Sequence, residues 1–114
     1  MQIQYLEIVT PEVEATCVNY ANIHGVTFSD PVEALGGART AELPDGGRLG
    51  VRAPMHESEA SVVRPYVLVT DIEAAVNAAG DAGAEIAHPP LELPGQGTFA
   101  IFTLGGIHHG LWQL

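Results

Sequence analysis

One pattern that occurs twice constrains this chain more than any single residue does. Ile3 to Val9 is rich in β-branched and aromatic residues and reads as a strand, and Thr10-Pro11-Glu12 supplies a hydroxyl N-cap with proline in the first turn of a helix. Val13, Cys17, Tyr20 and Ala21 recur at helical spacing on one face, and Gly25 is placed to end the helix in a left-handed conformation. Three short strands are expected next, near residues 26–29, 39–43 and 48–53, punctuated by glycine and proline. After a connector the order starts again. Residues 64–69 form a strand, Thr70-Asp71-Ile72-Glu73 reads as a capping box, Ile72, Val76 and Ala79 make a helical stripe, and Gly83 is its stop. Strands near residues 85–88, 98–103 and 107–113 complete the second copy. Glu12-Val13-Glu14-Ala15 and Asp71-Ile72-Glu73-Ala74 match at an offset of 59, as do the Gly-Gly pairs 46/47 and 105/106.

The expected fold is therefore α+β, two βαβββ modules in one domain spanning 1–114. Module one covers about 1–53, a connector 54–63, and module two about 64–114. Each module is too small to bury a sheet face alone, so the sheets are expected to curl into an open cup with the helices outside.

Charge narrows the partners. Four basic residues against 14 acidic ones give a net charge of −10 and a pI near 4.6, the wrong sign for nucleic acid or anionic lipid. All four basic residues are arginines, Arg39, Arg48, Arg52 and Arg64; without lysine there is no Schiff-base chemistry and no phosphate-loop lysine. Cys17 is alone, which forbids an intrachain disulfide or a thiolate-rich zinc site and fits the cytoplasm. Its place on the inward helical stripe predicts a buried, unreactive thiol. No apolar run approaches the roughly 20 residues that span a bilayer, and no export signal opens the chain.

The doubled βαβββ pattern resembles the vicinal oxygen chelate superfamily, which includes glyoxalase I, bleomycin-resistance proteins, extradiol dioxygenases and methylmalonyl-CoA epimerases. The resemblance rests on the strand-to-helix junctions Val9-Thr10-Pro11-Glu12-Val13 and Val69-Thr70-Asp71-Ile72. Pro89-Pro90, the run from Pro94 to Ala100, and Gly110-Leu111-Trp112-Gln113 add likeness to a glyoxalase-like branch. The superfamily's metal-dependent members place four ligands on the first and last strands of each module. Seven residues before the acidic residue of each junction stand Tyr5 and Arg64, and the closing-strand positions fall at Gly50 and Gly110. None supplies a ligand, so the resemblance implies a branch with no metal and no cofactor.

If Tyr5 faces the cup, strand alternation brings Glu7 and Val9 with it and sends Leu6 and Ile8 under the helix. Glu7 reads either as a general base in partly buried surroundings or as a carboxylate neutralised by Arg64 or Arg52. The same alternation turns Arg52, Arg64 and Tyr66 inward. Two inward arginines suit a carboxylate-bearing ligand, or pair with Glu7 and surface acids. On the last strand His108, Gly110 and Trp112 share the cup face, leaving room for a flat ligand beside two rings, and His108 is a candidate acid or base. His109 faces the other way, so the histidine pair cannot bind one ion. Gln96, in a glycine-flanked loop, could touch a ligand at the rim or merely close a hairpin. His56 and Glu57 are expected to be solvated, and His88 to be a turn residue.

The candidate catalytic residues are thus Glu7 and His108, and the candidate ligand-binding residues Tyr5, Arg52, Arg64, Tyr66, Gln96, Gly110 and Trp112. Three functions compete on this evidence: a metal-independent glyoxalase-like lyase or isomerase moving a proton on a small molecule, a bleomycin-resistance-type protein that sequesters a drug or metabolite, and a metal-dependent lyase or dioxygenase. A homodimer is expected, because a small curled sheet leaves edges that a second copy could cover.

Overall fold

The computed structural model describes all 114 residues and divides into two compact units, residues 5–63 and residues 64–114 with residues 1–4. Seven strands and two α-helices appear in the doubled order expected of an α+β protein: β1 (Ile3–Val9), α1 (Val13–His24), β2 (Arg39–Glu42), β3 (Arg48–Arg52), β4 (Val62–Leu68), α2 (Ile72–Asp81), β5 (Glu85–Leu93), β6 (Gly97–Leu104) and β7 (Ile107–Gln113). No helix is long and apolar enough to cross a membrane.

In the first unit β3 runs parallel to β1 and antiparallel to β2. Alternation on β1 works as the sequence dictates: Leu6 and Ile8 turn to α1, where Ile8, Leu49, Val51 and Cys17 are buried together. Burying each of these aliphatic side chains contributes roughly 1.5–3 kcal/mol. Glycine ends α1 as expected, with Gly25 at φ 69° and its N–H donating to the Ala21 carbonyl. The helix start differs. Thr10 N–H donates to the Arg52 carbonyl at 3.0 Å, which prolongs the pairing with β3, so the chain stays extended through Thr10 and the helix begins only at Val13. Thr10 Oγ1 accepts from Glu12 N–H at 3.1 Å in the intervening turn and makes no cap on the helix.

Residues 26–29 form no regular strand. Ser29 N–H donates to the Thr40 carbonyl at 2.7 Å and Thr40 N–H to Ser29 Oγ at 3.0 Å, after which a single bridge, Val32 to Ala38, and a 3₁₀ turn over Glu33–Leu35 carry the chain to β2. Pro31 has no N–H to give, and Gly36 and Gly37 at positive φ turn the chain back, so no ladder can run on. Arg39 ties the segment down, its Nε donating to the Ser29 carbonyl at 3.0 Å and its Nη1 meeting Glu14 of α1 at 2.7 Å.

Cys17 is 3% exposed, and burial pushes its thiol up, against a smaller downward pull from Arg39 and with a further push from Glu14. A chromogenic disulfide reagent at neutral pH is expected to label it only at the rate of unfolding, with full reaction in denaturant; fast stoichiometric labelling of the native protein would show that the thiol is accessible.

In the second unit β7 pairs parallel with β4 and antiparallel with β6, and β5 lies at the edge beside β6. The first residues of the chain belong here, Leu68 N–H donating to the Gln2 carbonyl at 2.8 Å. Ile72, Ala100 and Leu111 are buried together, with Val76 and Phe102 packed on them, so the Ile72, Val76, Ala79 stripe faces the sheet. The cap of α2 is Asp71, one residue later than the expected box: its Oδ1 accepts from Ala74 N–H at 3.0 Å, and Gln113 Oε1 takes Ile72 N–H at 2.8 Å. β5 runs five residues beyond the expected end, straight through Pro89-Pro90. It does so with register shifts between Ile86 and His88 and between His88 and Leu91, which an edge strand tolerates.

Candidate functional site

The face of β1 turned away from α1 carries Tyr5, Glu7 and Val9, all buried. Glu7 lies opposite Gly50 and Val9 opposite Arg52 in the register with β3. Gly50 admits the hydroxyl end of Tyr5, which would overlap a Cβ at that position. Arg52, 6% exposed, donates from Nε to Glu7 Oε2 at 2.8 Å, from Nη1 to Glu59 Oε1 at 3.0 Å and to the Ala53 carbonyl at 3.2 Å, and from Nη2 to Glu59 Oε2 at 2.8 Å. Four of its five N–H groups are engaged, and the contact with Glu59 has the two-pronged geometry that makes arginine and carboxylate pairs strong. These bonds, with that to Glu59 foremost, raise the guanidinium's affinity for its proton against the opposing effect of burial. The Glu59 carboxyl is held down at about 2, chiefly by the Arg52 bond and further by Met55 N–H at 2.7 Å.

Glu59 is the residue the sequence reading passed over. It stands in the connector, where His56 and Glu57 were expected to be solvated, and no local motif marks it; only the question of which acid reaches an inward Arg52 would have raised it. His56 and Glu57 are exposed, with His56 Nδ1 2.7 Å from Ser58 Oγ.

The second unit gathers a different set. Arg64 is 9% exposed and its Nη2 lies 3.5 Å from Nδ1 of His108, which is exposed. Tyr66 faces Gly110 across the β4–β7 register, and its ring occupies the space a Cβ at Gly110 would need. That ring stands edge-on to Trp112 at 5.8 Å and to Phe99 at 6.2 Å between centroids, while His88 lies tilted on Phe99 at 4.7 Å. His88 is therefore a strand residue of the ring cluster and not a turn residue. Gln96 sits half-buried in the hairpin between β5 and β6, its N–H donating to the Leu93 carbonyl at 2.9 Å. His109 is on the opposite face, stacked on Phe102 at 5.0 Å.

Comparison with solved structures places this arrangement. The chain aligns over 99% of its length with 96% of Streptomyces coelicolor methylmalonyl-CoA epimerase in complex with 2-nitronate-propionyl-CoA, at a TM-score of 0.73 and 18% identity. It aligns over 97% of its length with 86% of the Mycobacterium tuberculosis methylmalonyl-CoA epimerase, at 0.75 and 14%. The chain has the vicinal oxygen chelate fold. A hypothetical protein of Bacillus halodurans is similar too, with a TM-score of 0.79 at 10% identity over 99% of this chain and 94% of that one. No protein-family model and no curated protein matches the sequence.

The vicinal oxygen chelate fold implies a metal in many of its members, and the donor set here does not fit one. Of the positions that the resemblance assigns to ligands, Tyr5 lies over Gly50 in the first unit, and in the second, beside Arg64, Gly110 lies under Tyr66. No group of three or more histidine, cysteine, aspartate or glutamate side chains could hold an ion.

Proposed function

We propose that this protein binds a small organic molecule through its own side chains, on a glyoxalase-like fold and without a bound metal. The observation that carries this reading is the identity of the ligand positions: two are glycines occupied by tyrosine rings, and a third is an arginine. A guanidinium stays protonated at any working pH and opposes a divalent cation by about 2 kcal/mol at 4 Å even in water, and by more where water is excluded.

Proton transfer is part of the proposal. The candidate groups are the Glu7 carboxylate, whose Oε2 accepts from Arg52 Nε at 2.8 Å, and the exposed imidazole of His108, 3.5 Å from the Arg64 guanidinium. Arg52 acts here through Glu7 and not on the ligand itself, because four of its five N–H groups are engaged within the protein. The sequestration of a cationic drug is less well supported, since Arg64 stands beside the ring cluster of the second unit.

Elemental analysis of protein purified without chelators is expected to give far less than one equivalent of zinc, nickel, iron or manganese. Native mass spectrometry is expected to retain a co-purifying organic molecule. One equivalent of metal per chain, with ligand binding lost on chelation, would overturn the proposal.

A further inference from the structure

Resting on the reading above, we infer that residues 53–61 are a clasp over Arg52, in which Glu59 occupies, from within the chain, the seat that the guanidinium presents to a ligand carboxylate once the segment lifts. Nη1 and Nη2 of Arg52 meet the two oxygens of Glu59 at 3.0 and 2.8 Å, the fork-to-fork geometry with which arginine recognises a free carboxylate. On its other side the guanidinium donates from Nε to Glu7 of β1 at 2.8 Å, a bond that keeps it oriented when the connector moves.

The segment is built to move as a piece. Within it, Met55 N–H donates to Glu59 Oε1 at 2.7 Å, Glu59 N–H donates to the His56 carbonyl at 3.1 Å, and Ser58 Oγ lies 2.7 Å from His56 Nδ1. Its polar ties to the rest of the unit converge on one side chain, since Arg52 both donates to the Ala53 carbonyl at 3.2 Å and grips Glu59. Apolar contact adds little. Met55 is 66% exposed, with only its methyl reaching the space that Gly36 leaves open, and residues 56–58 and 60–61 are exposed. A segment with few buried apolar contacts, held by one ion pair, opens at a free energy well below that of global unfolding.

The exchange conserves the bonds that matter. An entering carboxylate takes over the same two charge-assisted donors, and what it must overcome is the tether, which holds Glu59 at an effective concentration on the order of millimolar or above. With the segment down, Arg52 acts only through Glu7. With it lifted, a ligand carboxylate sits on the same guanidinium that holds Glu7, so the clasp admits a small carboxylate and sets it beside the candidate base in one movement.

The test follows two signals of the intact protein by nuclear magnetic resonance: the Overhauser contact between the Met55 methyl and Gly36, and the Arg52 guanidinium resonances during titration with propionate, with propionamide as the uncharged probe. In Glu59→Ala the Met55 contact is expected to vanish while the cross-strand contacts of β1 and β3 remain. Propionate is expected to shift the Arg52 resonances of that variant at about tenfold lower concentration than in the parent, and propionamide to shift them in neither. Glu57→Ala, which removes a neighbouring exposed acid, is expected to match the parent in both signals. Glu59→Gln serves if Glu59→Ala does not fold. Retention of the Met55 contact without Glu59, loss of the β1 and β3 contacts along with it, or failure of both variants to fold makes Glu59 a fixed part of the structure and overturns the clasp. A propionate response of Arg52 that is the same with and without Glu59, or absent from both, overturns it too. Each of these leaves the metal-free reading standing, whereas propionate binding that requires an added divalent metal overturns both.

Discussion

Replacing Arg52 by methionine is expected to lower the free energy of unfolding by about 3–5 kcal/mol, read as a shift in the urea midpoint at constant slope. The reason is what the substitution leaves behind. Glu7 is 7% exposed and the Glu59 side chain 17%, and both lose the guanidinium that contacts them at 2.8 Å. Removing one member of a buried ion pair costs more than removing the whole pair, so Arg52→Met combined with Glu7→Gln and Glu59→Gln is expected to recover part of the loss. Acid makes the same point without mutation. The Glu59 carboxyl titrates at about 2 in the folded chain against an ordinary value of 4.5, a depressed pKa, so the stability it adds is fully present above pH 4.5 and disappears as the pH falls toward 2. Glu59→Gln is expected to be less stable than the parent at pH 7 and to lose less stability than the parent over that acid range. A parallel acid dependence in the two proteins would show that the Arg52 contact contributes nothing.

Gly110→Ala is expected to destabilise the fold by about 2 kcal/mol, because its Cβ would enter the Tyr66 ring and come within 2.8 Å of the Pro65 carbonyl oxygen. The gain from a less flexible unfolded chain, about 0.4–1 kcal/mol, offsets only part of this. Tyr66 has little space to give way, being edge-on to both Trp112 and Phe99. A double-mutant cycle isolates the cause: in a Tyr66→Ala background the same glycine substitution is expected to cost less than in the parent, the remainder coming from the Pro65 carbonyl oxygen, with the near-ultraviolet signal of Trp112 changed most where Tyr66 is present. Equal costs in both backgrounds would place the strain in the backbone instead.

Much of the fold was legible because it depends on local stereochemistry. Period-two alternation is a property of any strand, so Leu6 and Ile8 against α1, with Tyr5 and Glu7 opposite, followed from β1 alone. The glycine stop of α1 and the Ile72, Val76, Ala79 stripe are equally local. The errors fall where a neighbouring element competes with local preference. Thr10 is a good N-cap by composition, but its N–H is claimed by the Arg52 carbonyl. Pro89-Pro90 reads as a strand end, but a bulged edge strand accepts it.

The sequence by itself determined the doubled architecture and the face on which each strand residue lies, since both depend only on residue type and spacing. Tertiary structure alone decided partnership. Arg52 could have met any of 14 acids, and it met Glu59 because the connector folds back to present a second carboxylate on the side of the guanidinium that Glu7 does not occupy. His88 joined Phe99 because a register shift in β5 set its ring over the neighbouring strand. Distances between groups far apart in the chain are fixed only when backbone hydrogen bonds set the register, and ion pairing, ring stacking and ligand recognition all depend on those distances.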